Sequence, residues 1–175
     1  MSASDPQRQF EQVVAPHLDA AYNLARWLAG NDHDAEDITQ EASLRAFRFL
    51  GGFRGGNSRS WLLTIVRNTA YTWLKQNRPQ AVVSIDEDEL HQIEDPDALR
   101  SHASALHHAD RDVLRAALEQ LPAEFREVLI LRELEGLSYK EISEVADAPI
   151  GTVMSRLARA RKQLQDFLAT KGEPQ

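Results

Sequence analysis

The side chains best suited to bind another molecule lie within LSYKEISEVADAPIGTVMSRLARARKQLQDFL, residues 137 to 168. At 100° per residue, Ser155, Arg156, Arg159, Lys162 and Gln163 gather with Thr152 on one arc of a helix, and no acid lies between Ile150 and Gln165. Arginine can bond both acceptors of a guanine edge, while serine and lysine hold phosphate oxygens. A second set spans Ala42 to Pro79, where seven cations (Arg45, Arg48, Arg54, Arg59, Arg67, Lys75 and Arg78) occur without an acid. Half of the chain's aromatic residues share that stretch: Phe47, Phe49, Phe53, Trp61, Tyr71 and Trp73. Cations attract a phosphate backbone and ring faces stack on unpaired bases, so the combination suits single-stranded or opening DNA.

Covalent chemistry is not expected. The chain shows no paired carboxylates or nucleophile and base at a convincing spacing, so no catalytic residue is assigned. The loop GGFRGGNSRS carries four glycines, but no Gly-Lys-Ser/Thr follows it and no strand precedes it, which argues against a nucleoside triphosphate. NDHDAED holds four acids and a histidine without the glycine of a calcium loop, and reads as the acidic start of a helix. His102, His107 and His108 have no cysteine or capped helix to orient them. With zero cysteines there is neither a disulfide framework nor a thiolate metal site, so no metal or cofactor is expected.

Helices must position these residues. Ser138 followed by Glu141 forms a capping box, and Ile142, Val145 and Ala146 give that helix one buried face. Pro149 ends it near Asp147, and a second helix starts around Gly151 and Thr152, with Val153, Leu157, Ala160, Leu164, Phe167 and Leu168 inward. Two helices at a tight turn, the second cationic, form a helix-turn-helix. Upstream, Arg111 to Gln120 and Pro122 to Glu135 are expected as helices that close a small core. Near the N-terminus, Phe10 to Leu28 reads as one amphipathic helix, with His17 on its apolar side. Ala35 to Leu50 reads as another, with Phe49 among its inward residues, and Ser60 to Gln76 as a third that presents Trp61, Asn68 and Lys75. Phe49 and Trp73 are expected in the core.

The fold class is therefore all-α, in two small helical domains over residues 5–80 and 111–170 joined by an acidic linker over 81–110. The net charge of -7 sits mainly in that linker: residues 81–112 hold two Lys/Arg against nine Asp/Glu, whereas 1–80 hold nine against eight and 113–175 hold nine against ten. Local fields decide what a surface attracts, so the total does not exclude DNA. Asp86, Glu87, Asp88 and Glu89 could mimic nucleic-acid charge and cover a basic face. No apolar run approaches a bilayer span and the N-terminus has no signal core, so a cytoplasmic protein without membrane insertion is expected.

At this level two separated stretches resemble one family, the bacterial RNA polymerase sigma factors of the extracytoplasmic-function (ECF) group. DAEDITQEASLRAFRFLGGFRG resembles its core-polymerase-binding segment and SWLLTIVRNTAYTWLK its melting and minus-ten segment, both in region 2. LPAEFREVLILRELEGLSYKEISEVADAPIGTVMSRLARARKQL resembles region 4. The resemblance implies that Asp34, Asp37, Gln40 and Glu41 face the clamp coiled coil of the polymerase largest subunit, with the flap as a further polymerase contact. It implies that Phe53, Asn57, Arg59, Trp61 and Asn68 surround a flipped minus-ten base, and that Thr152, Ser155, Arg156 and Arg159 read the minus-thirty-five element. Promoter DNA and an anti-sigma factor are the other partners it implies. The chain departs from the family's pattern at Ser43, where Phe is usual, at Asp147, where a turn Gly is usual, and at Met154, where Arg is frequent. A stand-alone helix-turn-helix regulator is the alternative reading; it calls for tight duplex binding without polymerase and little use for the glycine-rich loop.

Overall fold

The structure is a computed structural model that describes residues 5–79 and 111–171. The linker expected over 81–110, with Asp86 to Glu89 and His102, His107 and His108, lies outside the described residues. The chain divides into two compact units, the first over 5–79 among the described residues and the second over most of 111–171. Among the described residues both are helical and neither contains a strand.

The first unit begins with α1 (Pro6–Val13), where Asp5 caps by accepting from the Gln7 amide at 3.1 Å. The single helix expected over Phe10 to Leu28 is broken. Pro16 has no amide hydrogen, and a 3-10 turn, Ala15–His17, separates α1 from α2 (Leu18–Ala29). Gly30 ends α2 with a left-handed φ of 87°, and Asn31 caps α3 (Asp32–Phe49) by accepting from the Asp34 amide at 2.9 Å. Asp32 and Asp34 occupy the first turn of α3, where carboxylates meet the positive end of the helix dipole. After a short 3-10 turn (Leu50–Gly52) and the glycine loop, Asn57 caps α4 (Ser58–Asn77).

Helices α2, α3 and α4 pack on one another through Leu24, Leu28, Ile38, Leu62, Leu63, Val66 and Leu74, all nearly inaccessible. Phe49 does not join them. It is 60% exposed, because α3 ends at this residue and the chain turns so that the next one, Leu50, takes the buried place. Trp73 is half-buried, with the Arg78 guanidinium 5.1 Å from its ring centre.

The second unit contains α5 (Arg111–Gln120), α6 (Ala123–Leu129), α7 (Tyr139–Ala146) and α8 (Ile150–Lys171). Every residue from Phe125 to Leu131 is buried, so α6 is covered all round. It runs into a π-helical turn, Ile130–Leu134, whose wider pitch ends in a Glu135 amide bond to the Ile130 carbonyl at 3.1 Å. Gly136, at φ 66°, then reverses the chain and lets the Leu137 amide return to the Leu131 carbonyl at 2.9 Å. Leu137, Ile142, Val153, Leu157 and Leu164 complete this core.

Candidate functional site

In the second unit the helix-turn-helix forms as its residues require. Ser138 Oγ accepts from the Glu141 amide at 3.1 Å while Glu141 Oε1 accepts from the Ser138 amide at 3.0 Å, which closes the capping box. Asp147 adopts φ 51° at the turn, the left-handed conformation that Asp tolerates better than most residues. The Ser143 hydroxyl donates to the Ala148 carbonyl at 2.5 Å and ties α7 to the turn.

The cationic arc of α8 is not one surface. Arg159 and Thr152 are half-exposed and Lys162 and Gln163 are exposed, but Ser155 and Arg156 are buried at 6% and 9% exposure. Ser155 Oγ donates to the Gly151 carbonyl at 2.8 Å, and an Arg156 Nη2 lies 3.6 Å from Glu124 Oε2 on α6. Ser155 and Arg156 are thus covered in this structure, whereas the sequence pattern put them on the same open arc as Arg159. For Arg156 the reason is angular: from Val153, at the centre of the apolar stripe, it lies only about 60° round the helix, whereas Arg159 lies about 120° and Lys162 about 180° away; Ser155 lies about 160° away, and its short side chain is turned back onto its own helix by the bond to Gly151. Arg161, about 80° to the other side, is buried as well and donates to Glu133 Oε1 at 2.6 Å.

In the first unit the glycine loop brings Phe53 against Trp61, with ring centres 5.2 Å apart and planes tilted by 53°. Both residues are half-buried, so neither is closed off from solvent. Asn57 is exposed, but its side-chain oxygen is committed to the Ser60 amide at 3.1 Å; it acts first as a helix cap. Arg59 is half-buried, and Asn68 stands exposed two turns along α4 from Trp61, 3.4 Å from Arg67 Nη1. Arg67 in turn covers Tyr71 at 4.2 Å from the ring centre. His17 Nε2 lies 2.9 Å from Ser58 Oγ at the start of α4. Burial, and then the charge of Arg59, hold the His17 ring below its usual pKa of 6.5.

On α3, Asp37, Gln40 and Glu41 are exposed along one stripe, and Glu41 accepts from Arg45 Nε at 3.2 Å. Asp34 stands apart from them: its carboxylate accepts from Asn31 Nδ2 at 2.6 Å and from Arg78 Nη2 at 3.1 Å. His33, Asp34 and Asp37 bring candidate ligand atoms within 4.8 Å, but Asp34 is already engaged by Arg78, which opposes a cation there. Two residues that sequence reasoning missed extend the stripe: Leu44 is 52% and Phe47 49% exposed. Spacing held the signal, since Leu44 follows Asp37, Gln40 and Glu41 at helical intervals of seven, four and three.

The family description "Sigma-70 region 2" matches residues 13–80, and "Sigma-70, region 4" matches residues 111–164. The chain is 38% identical over 161 residues to the ECF RNA polymerase sigma factor SigE of Mycolicibacterium smegmatis, covering 91% of this chain and 62% of that protein. It is 37% identical over 167 residues to the ECF RNA polymerase sigma-E factor of Escherichia coli K12, covering 91% and 86% of the two chains. Among solved structures it is similar to the sigma factor RpoE in complex with the anti-sigma factor NepR from Bartonella quintana. That match has a TM-score of 0.70 and 28% identity, and covers 91% of this chain and 96% of the other.

Proposed function

We infer a division of labour between the two units from one premise: the chain belongs to the ECF group of RNA polymerase sigma factors, which are transcription initiation factors and not enzymes. The second unit reads upstream duplex DNA with Arg159 and Thr152, and Lys162 adds a phosphate contact. Arg156 and Ser155 serve instead to hold α8 in place. The first unit receives an unstacked base of the minus-ten element between the Phe53–Trp61 pair and Asn68, with Arg59 on the adjoining phosphates. Its α3 stripe, Asp37, Gln40 and Glu41 with Leu44 and Phe47, docks on core polymerase, a polar rim around an apolar centre. Asp34 orders the start of that helix.

The observation that carries this reading is the open Phe53–Trp61 pair at a capped helix start. A duplex reader alone has no use for it, whereas stacking on it offsets the few kcal/mol that unstacking a base costs. We place the protein where polymerase works, in the cytoplasm; no helix among the described residues is long and apolar enough to cross a membrane. The structural relative was solved with an anti-sigma factor, and we propose that such a partner holds this chain inactive by covering the same surfaces.

The test adds the full chain to sigma-free core polymerase and scores promoter-specific transcripts. Transcripts that appear with the native chain and vanish with Leu44→Asp, while duplex binding by the free chain is unchanged, are the expected result. Tight promoter binding with no need of polymerase would favour the stand-alone regulator.

A further inference from the structure

We propose that His17 is a positioning residue for strand opening: its ring ties down the first turn of α4 and so fixes the aromatic pocket of the loop. The inference rests on the minus-ten reading of Arg59 and Trp61 above. Pro16 is where it starts. Without an amide hydrogen at that position the chain cannot run helically from α1 into α2, and it makes a 3-10 turn closed by the His17 amide on the Val14 carbonyl at 2.9 Å. His17 takes φ -113° and ψ 9°, outside the helix, just before α2. That break carries the imidazole off the apolar stripe and over to α4, where Nε2 meets the Ser58 hydroxyl at 2.9 Å.

Ser58 is the first residue of α4 and lies between Asn57 and Arg59. The opening turn of a helix has amides with no intrahelical acceptor, so ties from outside the helix help it hold its shape. One tie is local, the Asn57 side chain on the Ser60 amide at 3.1 Å. Another spans 41 positions of sequence, from His17 to Ser58. Burial and the Arg59 guanidinium both disfavour the charged form of the ring, which suits a bond to a hydroxyl beside Arg59. Trp61, one turn further on with its amide on the Asn57 carbonyl at 3.1 Å, inherits its aim from this turn. A pocket that must accept a base without rearranging depends on such support.

The experiment uses the full chain with core polymerase on promoter DNA and reads permanganate reactivity of the opened strand beside polymerase capture. His17→Ala should lower opening by about threefold to tenfold, the range that one net hydrogen bond supplies, with capture unchanged. Ser58→Ala should do the same, the double variant should be no worse than either, and His17→Gln, which can still bond the hydroxyl, should restore most of the loss. Additive losses, a parallel fall in polymerase capture, or failure of His17→Gln to rescue would each overturn the proposal. Trp61→Ala separates the two layers. If it impairs opening while His17→Ala does not, only the positioning role falls; if it leaves opening intact, the minus-ten reading falls and the proposal with it.

Discussion

The two units treat their polar groups in opposite ways. In the first, the buried polar side chains among the described residues are the hydroxyls of Ser60 and Thr69. In the second they include Arg126, Glu127, Arg156 and Arg161. The first unit holds three long helices together with apolar packing and caps, which leaves Arg48, Arg54 and Lys75 on its surface. The second unit has fewer described residues, and an apolar stripe alone sets the rotation of a helix only loosely. Glu124 and Glu133 flank α8 on either side of its stripe and take Arg156 and Arg161, so direction comes from charge. Each run of cations therefore mixes display with anchorage, and the second unit differs in burying its anchors, Arg156 and Arg161, where the first leaves Arg78 half-exposed on Asp34.

The largest effect should come from breaking the better anchor. Arg161→Ala removes a buried side chain and its ion pair with the partly exposed Glu133, and the second unit should lose about 2 kcal/mol in urea unfolding of the full chain. Arg54→Ala in the first unit should change stability by less than about 0.5 kcal/mol. Equal losses from the two variants would erase the contrast.

Next comes the pocket. Trp61→Ala should cost strand opening about 2 kcal/mol, the worth of one stacked base, with duplex docking little changed. Permanganate footprinting alongside a duplex binding assay reads both.

The contrast sharpens on α8 itself. Arg159→Ala should relax discrimination at one base pair by about 1 to 3 kcal/mol, measured by competition between promoter variants. Arg156→Ala should weaken binding to all sequences alike, as expected of an anchor. A loss confined to one base pair would return Arg156 to the reading face.

The smallest effect is in pH. The folded pKa of His17 lies below its ordinary 6.5, so the unfolded chain takes up the proton first. The stability that neutral His17 lends is fully present above pH 6.5 and is lost as pH falls through the folded value. Replacing His17 with Gln should flatten that part of the acid limb of thermal unfolding, and only slightly, because the ring is half-exposed.

Much of this was legible before any coordinates. The capping box of Ser138 and Glu141, the left-handed Asp147 and the inward stripe of Val153, Leu157, Ala160 and Leu164 depend on neighbours within a few residues. Periodicity misled at Pro16, where apolar residues keep helical spacing across a residue that cannot continue the hydrogen-bond ladder. It misled again at Phe49, where the spacing is right but the helix stops.

By itself the sequence determined the helices, their caps, the turn of the reading motif and the separation of an aromatic basic stretch from a cationic helix. Those are local consequences of backbone chemistry and of which residues repeat at three and four. Tertiary structure alone decided which cations point outward, that Glu124 and Glu133 claim Arg156 and Arg161, and that His17 reaches Ser58 across 41 positions. A charge has no assigned face until the partner that neutralises it is brought alongside, and that partner comes from another helix.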